Sequence, residues 1–223
     1  MKEYQYDYEW DHEYCYPNSY VLINRLNITN SADLSVAERS ITSLKIAAAK
    51  RKPIKGEFDL AHLQRIHSYV FEDIFHWAGE LRHVNIAKGN QFCLAHNLTM
   101  YADDLFGKLY REHYLIGSDN VIERLAWYLS EINVLHPFRE GNGRTQRLFI
   151  EYLAGVAGYK IDFSDVSPEE MIIASAESFA CIYDRINGMF ERITTPISKE
   201  EQQQWIIYFF GRRSEAMRWF QNA

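Results

Sequence analysis

A mainly α-helical chain carrying one β-hairpin is the architecture this sequence predicts, on three observations. Apolar residues recur at three- and four-residue intervals along most of the 223 residues. One extended segment, 82–95, interrupts them. No Pro/Gly/Ser-rich linker, repeat or low-complexity tract divides the chain, and a 47% hydrophobic composition suffices for a sizeable core. One domain over 1–223 is therefore expected.

The periodicity predicts helices over 35–51, 59–75, 97–114, 120–135, 143–157, 168–178, 180–192 and 198–220. Ser35-Val36-Ala37-Glu38 has the spacing of a capping box for the first, and Asp59 suits the N-cap of the second. Asn120, with Glu123 three residues on, opens the fourth. Ile122, Leu125, Leu129, Ile132 and Leu135 give that helix its apolar face; Leu148, Phe149, Tyr152, Leu153 and Val156 do the same for the next. Ser167-Pro168-Glu169-Glu170 and Ser198-Lys199-Glu200-Glu201 read as further capping boxes, the former with Pro at the first helical position. In 82–95, Lys88-Gly89-Asn90 suits a hairpin turn. The last helix carries Trp205, Ile206, Tyr208, Phe209 and Phe210, then Met217, Trp219 and Phe220. The first group is expected to pack; the second suits either packing or a partner surface.

Chemistry concentrates in His136-Pro137-Phe138-Arg139-Glu140-Gly141-Asn142-Gly143-Arg144-Thr145-Gln146-Arg147. The apolar pattern of the fifth helix stops near Gly143, so Gly141-Asn142-Gly143 falls at a helix N-terminus. Unpaired N–H groups and the helix dipole make such an end an anion site, and glycines let the anion approach. Arg144 and Arg147 lie three apart, where the dipole disfavours cations, as if an anion arrives to satisfy both. Arg147 alone is equally explained by a pair with Glu151. Glu140 beside phosphates suits a Mg²⁺ ligand, or merely complements the dipole. His136, ending the preceding helix, is either a buried histidine or a general base. Phe138 suits a core anchor of the loop.

This stretch resembles the motif of Fic-domain proteins, His-x-Phe-x-(Asp/Glu)-Gly-Asn-Gly-Arg-x-x-Arg, at every specified place. Phe75-His76-Trp77-Ala78-Gly79, Arg82 and Val84-Asn85-Ile86-Ala87-Lys88-Gly89-Asn90-Gln91-Phe92 resemble the family's Trp-Ala-Gly segment and β-hairpin flap. Tyr16-Pro17-Asn18 and Leu26-Asn27-Ile28 are similar too, so the resemblance spans roughly 14–190. It implies a Fic fold: a compact helical bundle with a hairpin flap over the active site, a core of about 14–192 and a C-terminal helical extension over 193–223.

The resemblance also implies transfer of AMP from ATP to a Ser, Thr or Tyr hydroxyl of a target protein. His136 would take the hydroxyl proton and Glu140 would hold Mg²⁺. Gly141, Asn142 and Gly143 would cradle the α- and β-phosphates, and Arg144 and Arg147 the outer ones. The flap, Lys88, Gly89, Asn90, Gln91 and Phe92, would dock the target by strand addition; from sequence alone it is a plain surface hairpin. A relative with bulkier residues in place of the glycines transfers the γ-phosphate, and this chain keeps both. Other transfers, AMP removal and a non-catalytic nucleotide-sensing adaptor are the alternatives.

Many Fic proteins are silenced in cis by Ser/Thr-x-x-x-Glu-Gly/Asn, whose Glu meets the second motif arginine. The three Ser-led segments above have the wrong spacing. The resemblance therefore implies a toxin held by a separate small antitoxin, with DNA gyrase or topoisomerase IV among its targets.

A net charge of −6 without a basic block argues against direct nucleic-acid binding. Arg212 and Arg213 suit a solvated helix face. No stretch is long and apolar enough to span a membrane, and the acidic, aromatic N-terminus shows no secretory signal. Cys15, Cys93 and Cys181, scattered and odd in number, fit a reducing compartment, and the eight histidines show no zinc pattern. A bacterial cytoplasm is expected, or delivery into a host cell if the chain is part of an effector.

Overall fold

The computed structural model describes residues 7–8 and 13–223, and helices dominate it. In order these are α1 (Ser31–Arg51), α2 (Leu60–Phe71), α3 (Leu98–Arg111), α4 (Val121–Leu135), α5 (Asn142–Ala157), α6 (Pro168–Phe179), α7 (Asp184–Ile193), α8 (Lys199–Phe210) and α9 (Glu215–Asn222). The strands are β1 (Asp7–Tyr8), β2 (Ile86–Lys88), β3 (Asn90–Gln91), β4 (Tyr159–Ile161) and β5 (Thr194–Pro196).

Helix α5 is the axis. Leu148, Phe149, Ile150, Tyr152, Leu153, Ala154 and Val156 are all buried, so the helix has apolar neighbours on nearly every side. It packs against α4, α2 and α8. One hydrophobic cluster runs from Leu34 on α1 to Met217 on α9. The second half of the aromatic C-terminal segment also packs: Trp219 stacks on His113 with ring centroids 4.3 Å apart.

The caps explain most boundaries. Asp59 accepts from the His62 N–H, Ser167 from Glu170 and Ser198 from Glu201, as expected. Ser35 does not cap: α1 starts four residues earlier, where Asn30 accepts from the Asp33 N–H. Asn120 sits at the N-cap of α4 without a cap bond, since its Oδ1 accepts from the Ser118 hydroxyl instead. Residues 73–75, expected to continue α2, lie beyond its C-cap Glu72. The expected helix over 198–220 is two helices, broken at Gly211, whose φ of 87° no helix allows; Ser214 then caps α9.

The hairpin turns at Gly89 as predicted, and β1 adds to it antiparallel, giving the order β1-β2-β3. β1 takes the outer edge of β2, and among the described residues no strand pairs with that of β3. A second antiparallel pair, β4–β5, ties the end of α5 to the start of α8.

Three buried histidines carry a stability cost in acid. Burial pushes His62 down to about 4, and His67 and His136 to about 3. In the unfolded chain each takes a proton near its ordinary value of about 6.5. The unfolded state therefore holds more protons below that pH, and stability falls as pH drops from about 6.5 toward 3. His62 alone accounts for on the order of 3 kcal/mol of this loss. Urea unfolding at pH 7 and 4.5 checks it: the midpoint should drop steeply, and His62→Gln should flatten the dependence.

Candidate active site

The end of α4, a five-residue turn and the start of α5 assemble the site. His136 is the C-cap of α4, in the left-handed region at φ 43°, and its N–H still bonds the Ile132 carbonyl. Its Nδ1 lies 3.1 Å from the Asn133 carbonyl. A carbonyl only accepts, so Nδ1 carries the hydrogen and Nε2 the lone pair. Burial keeps the ring neutral.

Asn142 closes the turn. Its Oδ1 accepts from the Phe138 N–H at 2.9 Å and its Nδ2 donates to the Phe138 carbonyl at 2.8 Å. Both ends of the amide thereby take part in closing the loop, a role its place in the motif does not disclose. The N-cap is Gly141, at φ 80°, and not Asn142. A Cβ on Gly141 would lie 2.3 Å from Cζ of Phe71. Gly143 has no such constraint; its Cβ would meet only the tip of Arg147, at 3.3 Å.

Behind the loop, His67 stacks on Phe138 with centroids 3.9 Å apart. Its Nδ1 accepts from the Gly79 N–H at 2.8 Å, so Nε2 donates to the Glu140 carbonyl at 2.9 Å. The Trp-Ala-Gly segment is thus pinned to the loop through one buried imidazole.

The two arginines, expected on one face, diverge. Arg144 turns to α1, where it pairs with Glu38, donates to Thr42 Oγ1 at 3.1 Å and lies over the Phe71 ring. Burial raises the Glu38 carboxyl, opposed by the Arg144 charge. Arg147 has no carboxylate within salt-bridge distance among the described residues: Glu151 pairs with Lys50 at 2.8 Å instead. Burial and the Arg144 charge together push Arg147 below its ordinary range. The Glu140 carboxylate accepts from the Gly141 N–H at 2.9 Å and lies 3.7 Å from Arg144.

Two cavities flank this helix start. An apolar cleft of about 420 Å³ is lined by Phe92, His136, Gly143, Arg147 and α6 residues including Ile172 and Phe179. A polar cavity of about 650 Å³ lies toward α1, bordered by Glu38, Thr42, Glu140, Arg144 and Arg147. Arg147 reaches both. Among the flap residues, Asn90 and Gln91 are exposed, whereas Phe92 is buried with its ring stacked on His136, centroids 3.8 Å apart. Phe92 therefore covers the imidazole.

Sequence reasoning missed Glu38 as a neighbour of Arg144, His67 as the loop's clamp and α6 as a wall of the cleft. The first two contacts join residues 106 and 73 positions apart. No local pattern encodes such pairings.

The loop thus sets a buried imidazole at the end of α4 beside the amino end of α5, and comparison with known proteins identifies the family. The profile of the Fic/DOC family matches residues 57–154. The chain is 41% identical over 192 residues to the probable protein adenylyltransferase Fic of Escherichia coli, covering 84% of this chain and 94% of that protein. It is 39% identical over 185 residues to the protein adenylyltransferase VbhT of Bartonella schoenbuchensis. That match covers 82% of this chain but only 39% of VbhT, which is thus much longer than the shared part. Among solved structures, the N-terminal Fic domain of a Bartonella quintana VirB-translocated effector, with bound ADP, superposes with a TM-score of 0.79 at 32% identity, covering 84% of this chain and 97% of that one. BepC of Bartonella tribocorum, with bound AMPPNP, superposes with a TM-score of 0.79 at 26% identity, covering 86% and 100%. The chain belongs to the Fic/DOC family.

The glycines separate two demands. Gly141→Ala forces both a strained φ and a clash with Phe71, so the thermal midpoint should fall by several degrees. Gly143→Ala adds a helix-favouring residue on the open side. Its thermal midpoint should hold, while affinity for AMPPNP, measured by calorimetry, drops about tenfold.

Proposed function

We propose that this chain seats ATP against the N-terminus of α5 and transfers its AMP to a hydroxyl of another protein. The observation that carries this reading is Arg147, a largely buried cation without a carboxylate partner among the described residues, which borders two cavities, one of them also lined by His136. A polyphosphate supplies the missing charge. The apolar cleft along α6 matches a nucleoside in character and size, and the polar cavity matches the outer phosphates.

In the transfer, Nε2 of His136 accepts the hydroxyl proton while the hydroxyl oxygen forms a bond to the α-phosphorus. The bond from that phosphorus to the bridging oxygen breaks, and pyrophosphate leaves. Backbone N–H groups of Asn142 and Gly143 face the phosphates; Arg144 and Arg147 stabilise the departing charge. Arg144 must exchange at least part of its contact with Glu38 for phosphate.

Glu140 fits a Mg²⁺ that phosphates share. It offers hard carboxylate oxygens at the edge of the polar cavity. Among the described residues no three His, Cys, Asp or Glu side chains gather into a site of their own, so phosphate oxygens and water would have to complete the shell. Bound there, Mg²⁺ would neutralise phosphate charge.

The target protein docks on the open edge of β3, Asn90–Gln91, with the turn Lys88-Gly89 beside it. Candidates on the resemblance alone are DNA gyrase and topoisomerase IV. A separate antitoxin would silence the chain from the polar cavity by offering a carboxylate to Arg147. Action in the bacterial cytoplasm or in a host cell is compatible with this chemistry; no described helix is long and apolar enough to cross a membrane.

ATP labelled on one phosphate tests the reaction in bacterial lysate, with mass spectrometry to find the adduct. Label on the α-phosphate should enter protein and label on the γ-phosphate should not. His136→Ala should cut transfer by about 10²–10⁴-fold, the usual contribution of a general base, and still bind ATP. Entry of γ-label would establish a kinase, and undiminished transfer by His136→Ala would remove the base from this account.

A further inference from the structure

We propose that Arg82 is a positioning residue for His136, through which the flap and the base are held as one unit. The proposal rests on the reading of His136 as the base. Arg82 is 2% exposed, and among the described residues its guanidinium bonds backbone carbonyls and no carboxylate. Its guanidinium spends its donors on backbone carbonyls from two places. Nη1 donates to Val84 at 2.7 Å and Nη2 to Cys93, the two feet of the flap. Nε donates to the His136 carbonyl at 2.8 Å, and Nη2 also approaches that of Leu135 at 3.5 Å, both at the end of α4. The Arg82 N–H adds a bond to the Pro137 carbonyl at 2.9 Å.

A buried cation without an anion is costly, so fixed dipoles must compensate it. The C-terminus of α4 supplies them, since its last carbonyls carry the negative end of the helix dipole. The residue so held is His136, a non-glycine in the left-handed region. Its ring is fixed from the same chain segment, because Phe92 stacks on it at an interplanar angle of 15°. Carbonyl and imidazole of the base are thus both gripped by residues 82–92. The open edge of β3 belongs to that segment too. A target strand seated there meets a base whose position is set by the surface it binds. Lysine cannot replace this grip: one ammonium cannot span carbonyls that a planar fork reaches from three nitrogens.

Arg82→Lys tests the proposal in the full chain. Transfer from α-labelled ATP to lysate protein should fall roughly 10- to 100-fold, the cost of a misplaced catalytic group, while AMPPNP affinity stays within about twofold. A merely structural role would not move the next readout: the His136 imidazole resonances should lose the upfield shift imposed by Phe92, and amide exchange at Phe92 and Cys93 should quicken. Unchanged transfer or unchanged imidazole resonances would overturn the proposal. If Arg82→Lys does not fold, Arg82→Gln decides: its amide reaches fewer of the carbonyls, so transfer should slow by a similar factor while AMPPNP binding holds, and wild-type transfer would overturn the proposal. His136→Ala runs alongside. An active His136→Ala sinks the base itself, whereas an inactive His136→Ala with a fully active Arg82→Lys sinks this proposal alone.

Discussion

Everything at the site depends on the closure of one turn. Helix α4 must stop, reverse and hand over to α5 within six residues, 136–141, without filling the space where an anion approaches. The Asn142 amide does this by bonding both polar groups of the Phe138 backbone. Phe138 is thereby fixed against His67, and Gly141 adopts a conformation that other residues resist. Two hydrogen bonds within a buried loop place a histidine at the end of one helix against the amino end of the next. The proposed base and the proposed anion site come from different helices, and their separation is set by this turn.

How much of this was legible in the sequence depends on the range of the interactions. Helices α4 and α5 were placed within a residue at their starts, because apolar periodicity and caps are local signals. So was the hairpin turn, because Gly89 needs a positive φ. The start of α1 was misplaced because Ser35 has a capping-box spacing that Asn30 pre-empts one turn earlier. Strands β4 and β5 are three residues each, too short to show a period of two, and they exist through pairing across α6 and α7. The motif itself disclosed which residues matter but not how each is used. Asn142 clasps the loop, a role its motif position does not reveal. Arg144 and Arg147 share a helical face by spacing, yet Glu38 draws one of them to α1.

That divergence shapes the electrostatics. Arg144 is compensated by Glu38 and Glu140, so the protein can bury it without a ligand. Arg147 is left with no ion pair among the described residues and with a like charge nearby. One arginine is at rest and the other is waiting. On the proposed reading, a triphosphate gains most from the second and must compete for the first, so affinity and orientation are divided between residues only three apart. Removing Glu38 would not simply strengthen binding, because it would also release Arg144 from the position in which Phe71 and Thr42 hold it.

The base shows the same economy. Burial under Phe92 keeps His136 neutral at every physiological pH, which leaves Nε2 ready to accept a proton. The same burial, with Arg82 and Lys88 adding positive charge nearby, disfavours the protonated ring. A base that weak is poorly matched to a hydroxyl. A triphosphate on α5 brings opposite charge next to the imidazole, and opposite charge raises a histidine's affinity for a proton. In the proposed reaction, the imidazole would therefore become a better base once the nucleotide is seated, and the same helix end would both bind the nucleotide and favour proton transfer.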